Sequence, residues 1–262
     1  MADIILPISN GALALDEAGE GPPIILLHGF SFSRAMWAPQ IEALVAGHRV
    51  VRYDLRGFGQ STRPRAPYAH ADDLAVLIAA LDLSAPLLVG LSLGANIALE
   101  FAVRHPGVAR GLVLASPGLA DHIWSGERPV EVAARIARER GLEAAKTYWM
   151  GHPIYASLRR AGADGLLRDM VDRYDAWHWC NPDPRETLPG ISALLSGMRT
   201  PTLVLSGGTD AADYRAIADR LVRDLPAAAL DRFEDAGHLL NLECPERFNA
   251  TLLAFDASVR KD

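Results

Sequence analysis

Gly90-Leu91-Ser92-Leu93-Gly94 lies between an apolar run, Leu87–Leu91, and a segment of helical composition, Ala95–Arg104. A G-x-S-x-G pattern in that setting is how a chain turns sharply from strand to helix with a serine at the apex, its hydroxyl exposed. Glycines are needed at 90 and 94 because strand and helix approach too closely there for a Cβ. The helix that begins behind Ser92 points free N–H groups and its positive dipole end at the serine, which favours an oxyanion. The plain alternative is a structural Gly-Ser turn. The strand-before, helix-after context disfavours it.

A serine hydroxyl is a poor nucleophile at neutral pH. It needs a base to take its proton and a third group to hold that base. Of the eight histidines, His238 ends Glu234-Asp235-Ala236-Gly237-His238, just after the last predicted strand. Sites in α/β sheets lie at such strand ends. His28 also ends a strand, but Gly29 follows it, so His28 is expected to shape the loop through a backbone hydrogen bond. His48, His70 and His105 lie in helix ends or loops, and His122, His152 and His178 in a later helical stretch. The holding acid should follow a late strand and precede His238, in the order Ser…Asp…His. Asp210, closing Leu205-Ser206-Gly207-Gly208-Thr209-Asp210, meets both demands. Asp213 competes, but is expected to cap a helix over Tyr214–Leu221. Asp121, after an earlier strand, is a second competitor. Two backbone donors must then converge on the oxyanion: the N–H of Leu93, and that of Phe30 in the loop after Leu26-Leu27-His28-Gly29.

These residues need a scaffold, and the chain alternates accordingly. Buried strands are predicted at Ile24–Leu27, Arg49–Asp54, Leu87–Leu91, Gly111–Ala115, Thr202–Ser206 and Ala229–Phe233, with helical stretches between them. That pattern predicts an α/β fold, a mostly parallel, doubly wound sheet with helices on both faces. Residues 4 to 18 read as a leading antiparallel pair turning near Ser9-Asn10-Gly11. The alternation stops between about Leu119 and Pro189, where helical spacing (Val130–Glu139, Asp164–Tyr174) replaces strands. The expected organisation is a core of residues 1–119 and 190–262 with a helical lid inserted at 120–189. Trp149, Trp177 and Trp179 are the lid's candidates for the walls of a substrate pocket, with plain lid packing as the alternative. From 121 to 186 the charges nearly cancel, ten Lys/Arg against eleven Asp/Glu, so composition argues for no basic clamp.

The bulk numbers exclude several classes. The 262 residues carry a net charge of −6, which disfavours nucleic acid as a partner. No apolar run reaches the ~18 residues of a membrane span. No basic segment leads into an apolar stretch at the start, so no secretory leader is expected. Two isolated thiols, Cys180 and Cys244, fit a reducing cytoplasm. No metal-ligand spacing is present, and neither metal nor cofactor is expected.

Several segments together resemble the α/β-hydrolase superfamily. They are Leu27-His28-Gly29-Phe30 with Trp37, Asp54-Leu55-Arg56-Gly57-Phe58-Gly59-Gln60-Ser61, Gly90–Gly94, Gly207-Gly208-Thr209-Asp210, Gly237-His238 and Glu243-Cys244-Pro245-Glu246-Arg247-Phe248. All stand in the family order, and the likeness covers nearly the whole chain except the lid. Within the superfamily the short His-Gly-Phe loop is similar to 3-oxoadipate enol-lactonase-like and cofactor-free haloperoxidase-like esterases. Epoxide hydrolases and haloalkane dehalogenases carry Asp at the elbow, where this chain has Ser92. Gly208 stands where many relatives carry Glu. The resemblance implies a serine hydrolase acting on a small carboxylic ester or lactone through Ser92, His238 and Asp210. Two rivals share the same triad: hydrolysis of a carbon–carbon bond in a diketone-like acid, and a ligand-binding module of slow turnover.

Overall fold

The computed structural model describes residues 3–260. Eight strands form one sheet in the order β1-β2-β4-β3-β5-β6-β7-β8. They are β1 (Ile4–Ile8), β2 (Gly11–Ala18), β3 (Pro23–Leu27), β4 (Arg49–Tyr53), β5 (Leu87–Leu91), β6 (Gly111–Ala115), β7 (Thr202–Gly207) and β8 (Ala228–Phe233). The β1–β2 and β2–β4 pairs are antiparallel; every other pair is parallel. Two residues, Ser9 and Asn10, join β1 to β2, and Asn10 adopts the left-handed conformation (φ 58°), which asparagine tolerates in turns. The strands β5, β6 and β7 are buried along their whole length. That explains their unbroken apolar runs, since helices cover both faces of a parallel sheet.

Helices α1 (Ala38–Val45), α2 (His70–Ala80) and α3 (Leu93–Arg104) follow β3, β4 and β5. Between β6 and β7 lie only helices: α4 (Pro129–Arg140), α5 (Leu142–Gly151), α6 (Ala156–Arg160), α7 (Gly165–Arg173) and α8 (Trp177–Cys180). The chain then returns to the sheet through β7, α9 (Ala212–Asp224), β8, α10 (Leu240–Glu243) and α11 (Pro245–Val259). Each helix buries one stripe. In α7 it is Leu167, Met170 and Val171, and in α9 it is Ile217, Ala218 and Leu221, the spacing of one face of a 3.6-residue helix.

The segment Asp54–Ser61 is a buried turn held by its own side chains. Arg56 pairs with Asp73 through two nitrogens at 2.8 and 2.6 Å, and the Asp54 carboxylate receives Arg34 at 2.6 Å and the Gln60 N–H at 2.9 Å. The turn fixes Phe58, whose ring meets those of His28 and Phe30 edge-on.

The far end of the chain is tied back by Asp256, which is fully buried in α11. It accepts hydrogen bonds from Arg110, from His48 at 2.9 Å and from Arg260 at 2.9 Å. Burial pushes its carboxyl up, but the Arg110 and His48 hydrogen bonds outweigh that and hold it below the usual range. A folded value below the unfolded one stabilises the protein above the unfolded value, and that share is lost as pH falls through the folded value. Asp256→Ala leaves the largely buried Arg110 guanidinium without its carboxylate and should cost about 3–5 kcal/mol. Urea unfolding at pH 7 should show that loss, and the gap to wild type should narrow below about pH 4. A variant as stable as wild type at pH 7 would contradict it.

Candidate active site

Ser92 sits between β5 and α3 with φ 55° and ψ −109°, a conformation that costs free energy outside glycine and turn positions. Two contacts impose it. A Cβ on Gly94 would lie 2.1 Å from the carbonyl oxygen of Leu27, and one on Gly90 would lie 2.3 Å from the backbone of Gly94. The Ser92 N–H continues the sheet ladder by donating to Ala115 O at 2.9 Å, and its carbonyl accepts from Asn96. The side chain therefore projects beyond the sheet. Leu93 opens α3, where the first-turn N–H groups have no acceptor within the helix.

The loop after β3 faces that helix start. His28 Nε2 accepts the Leu55 N–H at 2.9 Å, so the ring proton is on Nδ1 and is donated to Gly29 O at 2.8 Å. This is the loop-shaping role expected of His28. Gly29 N–H is taken by Met36 Sδ. Neither the Phe30 N–H nor the Leu93 N–H has an acceptor among the described residues, and both residues border one cavity.

The two remaining expected site residues lie on loops after β7 and β8. His238 Nδ1 donates to Asp210 Oδ2 at 2.9 Å, and both residues are buried. The other carboxylate oxygen accepts the Ala211 N–H at 2.7 Å. The loops touch: a Cβ on Gly207 would lie 2.1 Å from Gly237 O, and one on Gly208 would lie 2.3 Å from Glu234 O. No side chain fits at 208 in this backbone, which gives the departure to glycine a physical reason. Glu243 steadies the histidine loop, accepting the N–H groups of Gly237 and Leu239 at 2.7 and 3.1 Å.

The rival carboxylates are engaged elsewhere. Asp121 accepts the N–H and hydroxyl of Ser192, joining the two ends of the inserted helices. Asp213 does not cap α9; the helix starts one residue before it, and no side chain caps it. Its carboxylate accepts from His122, from the Ser125 N–H and from the Ser125 hydroxyl. The nearest free N–H groups belonged to the loop crossing above, so Asp213 pins that loop to α9.

Ser92, His238, Phe30 and Leu93 border one cavity of about 240 Å³. Among the described residues no hydrogen bond joins Ser92 to the His238 ring. Tyr214 borders the same cavity, its ring against the His238 imidazole with centroids 4.3 Å apart. Helices between β6 and β7 close the cavity with Trp149, Tyr155 and His178. Of the three tryptophans expected on its wall, only Trp149 is there, its indole N–H on Ser31 Oγ at 2.8 Å. Trp179 is buried against Trp149 and Tyr174, and Trp177 packs beside His178. Successive helical residues diverge by about 100°, so in α8 the residue between the two tryptophans is the one that faces inward.

Charge balance over the insert also conceals local charge. Arg128 and Arg185, 57 positions apart, both reach the cavity beside Asp183 and Glu131. Tyr214 is a further omission. It stands in the first turn of α9 with no motif around it, and the packing of that helix against the His238 loop brings it to the cavity.

Three buried histidines, His28, His70 and His178, are held neutral. Burial, then the charge of Arg185, lowers His178 to about 3. His70 falls well below the usual value through burial and Arg185, and His28 is lowered chiefly by burial. Their unfolded forms bind more protons below about pH 6.5, so stability rises with pH through that window and falls as pH drops. The urea midpoint should decrease steadily from pH 7 to pH 5, less steeply in His178→Gln. A midpoint flat over that range would contradict the assignment.

The chain matches the alpha/beta hydrolase family over residues 24–251. A Caulobacter sp. (strain K31) protein that carries the name carbamate hydrolase RutD is 30% identical over 258 residues, 91% of each chain. Among solved structures, the enol-lactonase from Burkholderia xenovorans LB400 superposes with a TM-score of 0.84 at 26% identity, covering 97% of this chain and 100% of that one. A thermophilic esterase from Thermogutta terrifontis gives 0.85 at 27% identity, covering 99% of each.

Proposed function

Because the chain belongs to the alpha/beta hydrolase family, we propose that this hydrolase cleaves a small carboxylic ester or lactone through an acyl-enzyme on Ser92. The observation that carries the reading is the buried His238–Asp210 pair opening onto the same cavity as a serine held at a glycine-flanked turn. Substrate entering that cavity draws Ser92 Oγ onto His238 Nε2, a contact that commonly tightens only in the substrate complex. Oγ attacks the carbonyl carbon as His238 takes its proton. Asp210 holds the ring with Nε2 facing the serine and stabilises the imidazolium. The N–H groups of Phe30 and Leu93 receive the oxyanion. His238 then protonates the departing alkoxide, and a water activated by the same ring releases the acid.

The enol-lactonase and esterase likenesses support this substrate class. The name borne by the Caulobacter relative favours a second reading, a carbamate cleaved by the same steps. A panel of short esters, lactones and carbamates separates the two by rate. Ser92→Ala should lower kcat on the best of them by roughly 10⁴ or more, and Asp210→Asn by about 10⁴. Asp213→Asn should leave turnover within a few-fold of wild type. A Ser92→Ala enzyme within tenfold of wild type would overturn the serine mechanism, and a sensitive Asp213 would overturn the choice of acid.

The inserted helices act as a lid that selects the substrate. Trp149 supplies an apolar wall beside Ser92. Trp149→Leu should change the ranking among acyl chain lengths by about tenfold or more, whereas Trp177→Leu should leave it unchanged. An unchanged ranking in folded Trp149→Leu would remove that role.

A further inference from the structure

The serine-hydrolase reading leaves the atom that carries away the leaving group with one partner, His238. The site offers a second. Tyr214, in the first turn of α9, borders the same cavity as Ser92. Its ring lies against the His238 imidazole with centroids 4.3 Å apart. The ring's outer face is closed by Trp124, at 5.2 Å and nearly perpendicular. Asp213, its neighbour in the chain, is fixed by His122 and both donors of Ser125. The phenol is thus held in place from both sides.

Sheet order shows which oxygen Tyr214 can serve. The oxyanion donors follow β3 and β5. Tyr214 follows β7 and His238 follows β8, on the other side of the nucleophile strand. The leaving oxygen must approach His238 to receive its proton, so it departs on the Tyr214 side, away from Phe30.

We propose that Tyr214 is a further catalytic residue, a neutral hydrogen-bond donor to the leaving-group oxygen as the tetrahedral intermediate collapses. In that collapse the bond from carbon to the leaving oxygen breaks and its electron pair goes to that oxygen. The oxyanion re-forms the carbonyl, and the proton comes from His238 Nε2. Tyr214 keeps its own proton throughout and only donates to the oxygen that gains charge. Burial and the charge of Asp210 push the phenol above its ordinary value despite the opposing pull of Ser92, so it remains a donor wherever the enzyme works.

The proposal rests on the acyl-enzyme reading, and the experiment separates the two. Purified full-length wild type, Ser92→Ala and Tyr214→Phe are assayed on a methyl ester and a p-nitrophenyl ester of one acyl group, and kcat/KM is compared. A p-nitrophenolate leaves without help, whereas an alkoxide needs a donor. Tyr214→Phe should lower kcat/KM roughly ten- to a hundredfold on the methyl ester and less than threefold on the p-nitrophenyl ester. The ratio of the two rates within one preparation does not depend on how much of it is folded, so a poorly folding variant still gives an answer. Equal loss on both esters, or no loss on either, with Ser92→Ala inactive, would overturn the role of Tyr214 alone. An active Ser92→Ala would overturn the acyl-enzyme reading beneath it.

Discussion

The carbonyl of Leu27 presses against the α-carbon of Gly94 so closely that no side chain could stand there. Almost everything at the site follows from that contact. It brings the end of β3 against the start of α3, so the loop carrying Phe30 and the helix end carrying Leu93 open onto one cavity. It also leaves Ser92 no room for an ordinary backbone conformation. A second contact of the same kind, Gly207 against the carbonyl of Gly237, joins the loops of Asp210 and His238. Two glycine–carbonyl contacts, separated in the sheet by β6, thus set the relative positions of all five groups.

Around this rigid floor the wall is aromatic and electrically quiet. Phe30 touches Phe58, Trp149, Tyr174 and His178, so the loop that offers an N–H is seated on the inserted helices as well as on the core. His178 stacks on Phe58 at 4.1 Å and behaves as one more neutral ring. The ionic groups nearby, Arg128, Arg185, Asp183 and Glu131, include both signs, which places polarity at the edge of the cavity without a single dominant charge.

The parts of this architecture that depend on local rules were legible in the sequence. Every predicted strand appears within two residues of its expected ends, because a buried parallel strand needs a continuous apolar run and has few other ways to bury it. The elbow and the loop at Asp210 were legible for the same reason, since glycines at fixed offsets have a steric cause. Reading failed where long-range packing decides. Helix α5 was hidden because Gly141 and Gly151 bracket it and its residues Leu142–Tyr148 carry no strong apolar face. Asp213 reads as a cap by type and position, but donors 88 and 91 residues away claimed it. Trp177 and Trp179 drew notice by size, and His178 between them holds the inward position. Tyr214 carries no motif at all, and only the packing of α9 against the His238 loop brings it to the cavity.

The bonds of Asp256 reach back 208 residues to His48 and 146 to Arg110. The order in which a ribosome delivers the chain therefore matters. The turn at Ser92 emerges early, with β3 and β5 already available to pair, yet the His238 ring lies 146 positions later, and α11 later still. Throughout that interval the half-built sheet carries a strained serine without the His238 loop beside it, and the edge of β6 is open until β7 arrives after the whole helical insert. Such late, non-local closure slows folding and exposes an apolar edge meanwhile. It also means that the cavity around Ser92 stays without its β7 and β8 loops until the helical insert has been made.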